Sequence, residues 1–189
     1  MNSKPTIYII GTGGTIAGEG SNATTASYKS GQIDTKKLVN AIPSLGKKAN
    51  IRTETLFSTG SENLGPENWK ILALRIEELS DDPKINAFIV THGTDTLEEA
   101  AFFLDLVLKP KKPIVLTGAM RSSTALSADG PANIFQASLA AISPKLKNQG
   151  VLIVMNRLII QGRQAIKTDS LSLEAFSSYP GGPIGKIVG

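Results

Sequence analysis

The chain has 189 residues, a formal net charge of +4, one histidine and no cysteine. Its 41% hydrophobic and 19% charged content suits one globular domain over residues 1–189, with a core of ordinary size. Disulfides, thiol nucleophiles, cysteine-based zinc sites and histidine clusters are excluded, and no apolar run approaches the roughly 18 residues of a membrane helix.

The densest basic run, Lys109-Pro110-Lys111-Lys112-Pro113, has no interleaved aromatic, so nucleic acid is not an expected partner. Met1-Asn2-Ser3-Lys4-Pro5 leads straight into a strand pattern. The expectation is a cytoplasmic protein, or a periplasmic one if a leader was removed before this numbering.

Residues 6–10 are apolar or β-favouring without alternation, the mark of a strand buried on both faces. Gly11-Thr12-Gly13-Gly14-Thr15-Ile16-Ala17-Gly18 follows, a turn that lets the backbone come close to a ligand and displays the Thr15 hydroxyl. It is not a dinucleotide fingerprint, because Ile16 stands where the third glycine belongs. It is not a phosphate loop either, because Glu19 follows Gly18. A tight strand exit without function is the competing reading of the turn taken alone.

Residues 19–31 are small and polar, with one aromatic, Tyr28, and read as a mobile loop whose tyrosine either anchors it or closes over the first strand. Asn22-Ala23-Thr24 fits a glycosylation sequon too short to carry weight. Asp34 is expected to cap a short helix ending near Ala41.

Residues 51–57 alternate as a strand and lead into Ser58-Thr59-Gly60-Ser61-Glu62-Asn63. Pro66 fits the first turn of a helix with Trp69, Leu72, Ala73, Ile76 and Leu79 on one face. Residues 87–90 form a third strand, ending in Thr91-His92-Gly93-Thr94-Asp95-Thr96. The next helix turns Leu97, Ala100, Ala101, Leu104 and Leu108 inward, and Thr96 with Glu99 fits a capping box.

Residues 113–118 and 151–155 give two more strands around a helix opened by Pro131. Residues 158–160 and 165–167 are expected to pair as a small terminal hairpin, with no further element after Ser177. The alternation predicts an α/β fold, a doubly wound parallel sheet with helices on both faces. Thr15, Ser61, Glu62, Thr94, Asp95 and Ala119 all follow carboxyl ends of strands and should meet at one rim, where such sheets bind ligands.

Without a thiol or a histidine cluster, the candidate nucleophiles are hydroxyls, which need a base or a charged neighbour. Asp95 orienting a lysine would supply one, and Lys167 is the lysine the topology can bring back to the rim. An exposed hairpin charge is the competing reading of Lys167, and a packed core residue is the expectation for His92.

Thr12-Gly13-Gly14-Thr15-Ile16-Ala17-Gly18, the run from Thr91 to Glu99 and Gly118-Ala119-Met120-Arg121 resemble the bacterial L-asparaginase family, near its type II branch. So do Ser127-Ala128-Asp129-Gly130-Pro131 and Gly162-Arg163 with Lys167-Thr168. The resemblance implies cofactor-free hydrolysis of the side-chain amide of asparagine, with glutamine left open.

It further implies that Thr15 is the nucleophile, beside Gly14, and that Tyr28 belongs to the lid. Thr94, Asp95 and Lys167 would form the second catalytic group, and Ser61, Glu62 and Asp95 would hold the α-carboxylate and α-amino group. The carbonyl of Ala119 would receive the departing nitrogen. The family is a homo-oligomer whose second, smaller domain completes the pocket, whereas this chain stops at Gly189. Gln161 and Asp169-Ser170 depart from the family's usual residues near Lys167. A non-catalytic module that binds amino acids or partners, and a fragment with exposed apolar surface, are the alternatives.

Overall fold

The computed structural model describes residues 4–21 and 27–188. The strands are β1 (Thr6–Gly13), β2 (Glu19–Gly20), β3 (Tyr28–Lys29), β4 (Asn50–Thr59), β5 (Ala87–Thr91), β6 (Ile114–Thr117), β7 (Val151–Met155), β8 (Leu158–Gln161), β9 (Ala165–Lys167), β10 (Phe176–Ser178) and β11 (Gly185–Lys186). The helices are α1 (Thr35–Asn40), α2 (Leu45–Lys48), α3 (Pro66–Ser80), α4 (Leu97–Val107) and α5 (Gly130–Ala141).

A seven-stranded sheet has the order β11-β8-β7-β6-β5-β1-β4. From β4 to β7 neighbours are parallel, whereas β8 runs antiparallel to β7 and β11 antiparallel to β8. The central strands are apolar throughout because both sheet faces are covered. Tyr8, Ile10, Phe88, Val90, Leu116 and Ile153 pack with α3 and α4 residues such as Leu72, Ile76, Ala100 and Leu104. Ile7, Ile9, Ile89, Val115 and Leu152 pack on the other face with Leu38, Leu45, Ile134 and Ala137 from α1, α2 and α5. Neighbouring strand residues thus serve opposite cores, as the pleat requires. The doubly wound parallel sheet is found as expected, and Asp34 caps α1 by accepting the Lys36 amide at 2.8 Å.

Three expectations are corrected. Residues 158–160 and 165–167 do not pair with each other. Instead β8 folds back on β7 through Asn156 and Arg157, and β9 pairs with β10. Met155 faces Leu158, so the hairpin loop has two residues, both at positive φ, the geometry of a primed turn. Asn156 and Arg157 hold it because α5 offers side-chain acceptors to their amides, Asn133 Oδ1 at 3.1 Å and Gln136 Oε1 at 2.9 Å.

Second, the chain after Ser177 is not without structure, because β11 adds a short strand to β8. Third, Thr96 does not cap α4 with its side chain. Its hydroxyl donates to the carbonyl of Ser61 at 2.9 Å, a tertiary bond that outcompetes the local one. Within the 19–31 stretch, β2 and β3 form an antiparallel ladder that pairs Gly20 with Tyr28. Residues 22–26, with the sequon and that part of the expected mobile loop, lie outside the described residues.

Candidate active site

The connections after β1 and β5 leave toward opposite faces of the sheet, β1 toward α1 and β5 toward α4, although the two strands are neighbours. That divergence opens a crevice beyond their carboxyl ends, where open α/β sheets bind ligands. A cleft of about 250 Å³ sits there, lined by Gly14, Thr15, Tyr28, Ser30, Ser61, Glu62, Gly93, Thr94 and Asp95.

Its floor is made by two glycines in backbone contact. A Cβ on Gly14, at φ +79°, would stand 2.3 Å from the Gly93 Cα, and one on Gly93 would stand 2.5 Å from Ser61 Oγ. Both positions therefore need the absence of a side chain. The Gly14 amide donates to the Thr59 carbonyl at 2.7 Å, tying the β1 turn to the end of β4.

Thr15 opens a short 3-10 turn just past β1, and its Oγ1 lies 2.6 Å from the hydroxyl of Tyr28. The Tyr28 ring rests over Gly18, whose missing Cβ would come within 2.6 Å of it. The Gly18 carbonyl is held from behind by the Ser123 hydroxyl at 2.6 Å, and the Gly20 amide donates to Thr124 Oγ1 at 2.8 Å.

Across the cleft, Lys167 Nζ donates to Thr94 Oγ1 at 3.0 Å and to Asp95 Oδ1 at 2.7 Å. The Lys167 side chain is 15% exposed and that of Asp95 64%, so the amine is covered while the carboxylate opens to the cleft. Ser61 Oγ accepts the Asp95 amide at 3.2 Å, and Glu62 is exposed with Asn63 Nδ2 3.1 Å from its Oε1. Two carboxylates and several hydroxyls thus face one small polar space, which suits a small zwitterion with an ammonium group.

The structure brings together Gly14, Thr15, Tyr28, Ser61, Glu62, Thr94 and Asp95, with Lys167 bonded to two of them. Ala119 follows β6 at the same rim but is fully buried and does not line the cleft. Its turn is fixed by Asp129, whose carboxylate accepts the amides of Met120 at 3.0 Å and Arg121 at 2.9 Å. The Met120-to-Asp129 separation gave no sequence signal for that bond.

His92 is fully buried directly before Gly93. Its Nδ1 lies 2.8 Å from the Gly93 carbonyl, and Nε2 has no partner among the described residues. Burial pushes its pKa below the usual imidazole range, so it is a neutral core residue, as expected. Glu98 is shifted the other way. Burial raises its carboxyl pKa, with the Lys167 backbone N–H opposing that rise. Among the described residues no three metal-binding side chains gather, and no helix is long and apolar enough to cross a membrane.

Fold and cleft together define an α/β domain with a small polar cleft lined by hydroxyls and carboxylates beyond the ends of its strands. The chain belongs to the asparaginase family: the model of the asparaginase N-terminal domain matches residues 6–189. It is 44% identical over 183 residues to L-asparaginase 2 of Escherichia coli K12, covering 97% of this chain and 52% of that protein. It is 42% identical over 183 residues to the glutaminase-asparaginase of Pseudomonas fluorescens biotype A, covering 96% and 50%. The crystal structure of a probable cytoplasmic L-asparaginase from Campylobacter jejuni superposes with a TM-score of 0.95 at 44% identity, covering 98% of this chain and 57% of that one. The chain spans about half the length of the curated relatives it matches.

Proposed function

We propose that this chain carries the catalytic groups of an amidohydrolase that converts L-asparagine, and L-glutamine as a second substrate, to the acid and ammonia. The carrying observation is the placement of the Thr15 hydroxyl, 2.6 Å from Tyr28, in the same cleft as the Thr94–Lys167–Asp95 cluster. Thr15 Oγ1 attacks the side-chain amide carbon while its proton leaves along the bond to Tyr28. The C–N bond breaks, the nitrogen takes up a proton and departs as ammonia, and a threonyl ester remains. Water, activated through Thr94 and Lys167, then opens the ester and frees the acid.

Ser61 binds the substrate's α-carboxylate, and Glu62 with Asp95 faces its ammonium. The names of the E. coli and P. fluorescens relatives support the two substrates. We further propose that residues 1–189 are an amino-terminal unit, that it works in a cytoplasmic homo-oligomer, and that the other half of such a protein completes the pocket. The Campylobacter relative's description supports the location.

The test is ammonia release from asparagine and from glutamine by the purified chain. Thr15→Ala is expected to lower it by about 10³-fold, roughly 4 kcal/mol of barrier. Equal release by the variant and the parent would overturn the assignment of the nucleophile.

A further inference from the structure

Lys167 reaches the cleft from β9, a three-residue strand that among the described residues pairs with β10 alone. Two acids on α4 hold the segment that carries it. Asp105 Oδ2 pairs with the Arg163 guanidinium, and its Oδ1 accepts the Val151 amide at 2.7 Å. Seven residues earlier, two helical turns along the same face, the Glu98 carboxylate accepts the backbone N–H of Lys167 itself. Thr94 and Asp95, the partners of the Lys167 amine, precede the same helix. One element therefore fixes both ends of the lysine, its backbone through Glu98 and its amine through Thr94 and Asp95.

We propose that Glu98 is a positioning residue for Lys167: its carboxylate sets the depth at which β9 docks on α4, and so the reach of the amine to Thr94. This rests on the assignment of Lys167 to the reacting groups made above. Glu98 itself does not line the cleft. Its half-buried position is one where an unpaired carboxylate would be unfavourable, and the Lys167 amide is the donor the structure gives it. The neighbouring Glu99 is exposed and makes no such bond, which makes it the matched control.

The geometry separates acceptor from charge. Glu98→Gln keeps an oxygen at the right distance, whereas Glu98→Asp keeps the charge and withdraws the oxygen by one methylene. Two readouts are taken on each variant and on Glu99→Ala: ammonia release, and the rate of reductive methylation of Lys167 measured by peptide mass spectrometry. In Glu98→Asp, Lys167 methylation is expected to rise and kcat to fall, each about tenfold, with KM within twofold, as for loss of a supporting contact. Glu98→Gln and Glu99→Ala are expected to stay within about twofold of the parent in both readouts. A Glu98→Asp variant that matches the parent, or a Glu98→Gln variant that matches Glu98→Asp, would overturn the proposal. Should the parent chain release no ammonia by itself, as a pocket completed by another half of the protein allows, the methylation rates alone still decide the role of Glu98.

Discussion

Lys167 Nζ lies 2.7 Å from Asp95 Oδ1 although 72 positions separate the two residues. The pair is asymmetric, with a covered amine and an open carboxylate. Such a partly exposed ion pair contributes little to stability, on the order of 1 kcal/mol or less. Its value lies in holding the amine against Thr94. Lys167→Met, which keeps the stem and removes the charge, is therefore expected to lower ammonia release by about 10²-fold or more. Its thermal midpoint should stay close to that of the parent. A variant that loses stability and keeps activity would assign the pair a structural role instead.

Tyr28 and Thr15 share a hydrogen bond of 2.6 Å that Tyr28→Phe removes while leaving the ring over Gly18. The expected result is a lower kcat with KM nearly unchanged, because the lost hydroxyl meets the nucleophile rather than the bound ends of the substrate. Steady-state ammonia release with asparagine measures both constants.

Gly93 tests the substrate end of the cleft. An alanine Cβ there would stand 2.5 Å from Ser61 Oγ and push aside the hydroxyl that accepts the Asp95 amide. Gly93→Ala is expected to raise KM, and to abolish any rise in melting temperature that aspartate gives the parent chain. Thermal scans with and without aspartate check it.

His92 makes stability depend on pH. Its folded pKa is depressed by burial, so the unfolded chain takes up the proton first. Its contribution is therefore complete above the unfolded value near 6.5 and is lost as pH falls below it toward the folded pKa, by up to about 1.4 kcal/mol per pH unit. Melting temperatures between pH 7.5 and pH 5.5, a window set about that value, should fall more steeply for the parent than for His92→Asn. Parallel curves would show that the imidazole is not the group responsible.

Thr96→Val separates the tertiary bond from the helix cap. The Thr96 hydroxyl bonds the buried Ser61 carbonyl, which also accepts the Leu64 amide at 2.9 Å and so keeps one partner after the change. The expected cost is about 1 kcal/mol in denaturant unfolding. Thr96→Ser, which keeps the hydroxyl, should restore most of it.

The buried strands and the faces of α3 and α4 were legible because sheet faces and helix stripes impose periods that a sequence displays directly. Leu72, Ile76, Leu97 and Leu104 are fully buried where the spacing put them. The convergence of Thr15, Ser61, Thr94 and Asp95 was legible as topology, since each ends a strand of one sheet. Pairing partners were not. Residues 158–160 carried the right strand signal, but Asn156-Arg157 lacks the glycine that usually marks a two-residue hairpin, so the partner β7 did not show. Thr96 read as a cap because a local pattern cannot show a carbonyl 35 positions away. The burial of Ala119 against the start of α5 near Gly130 was likewise not legible, because it rests on packing between separate segments of the chain.

The sheet order has a consequence for how the chain acquires its cleft. β1 is made before β4 and β5, yet it lies between them in the sheet. Its second neighbour does not exist until synthesis passes Thr91. A nascent chain therefore displays the Thr15 turn long before Lys167 leaves the ribosome. Contacts between residues this far apart close late and slowly. The hydroxyl emerges first and waits for its amine.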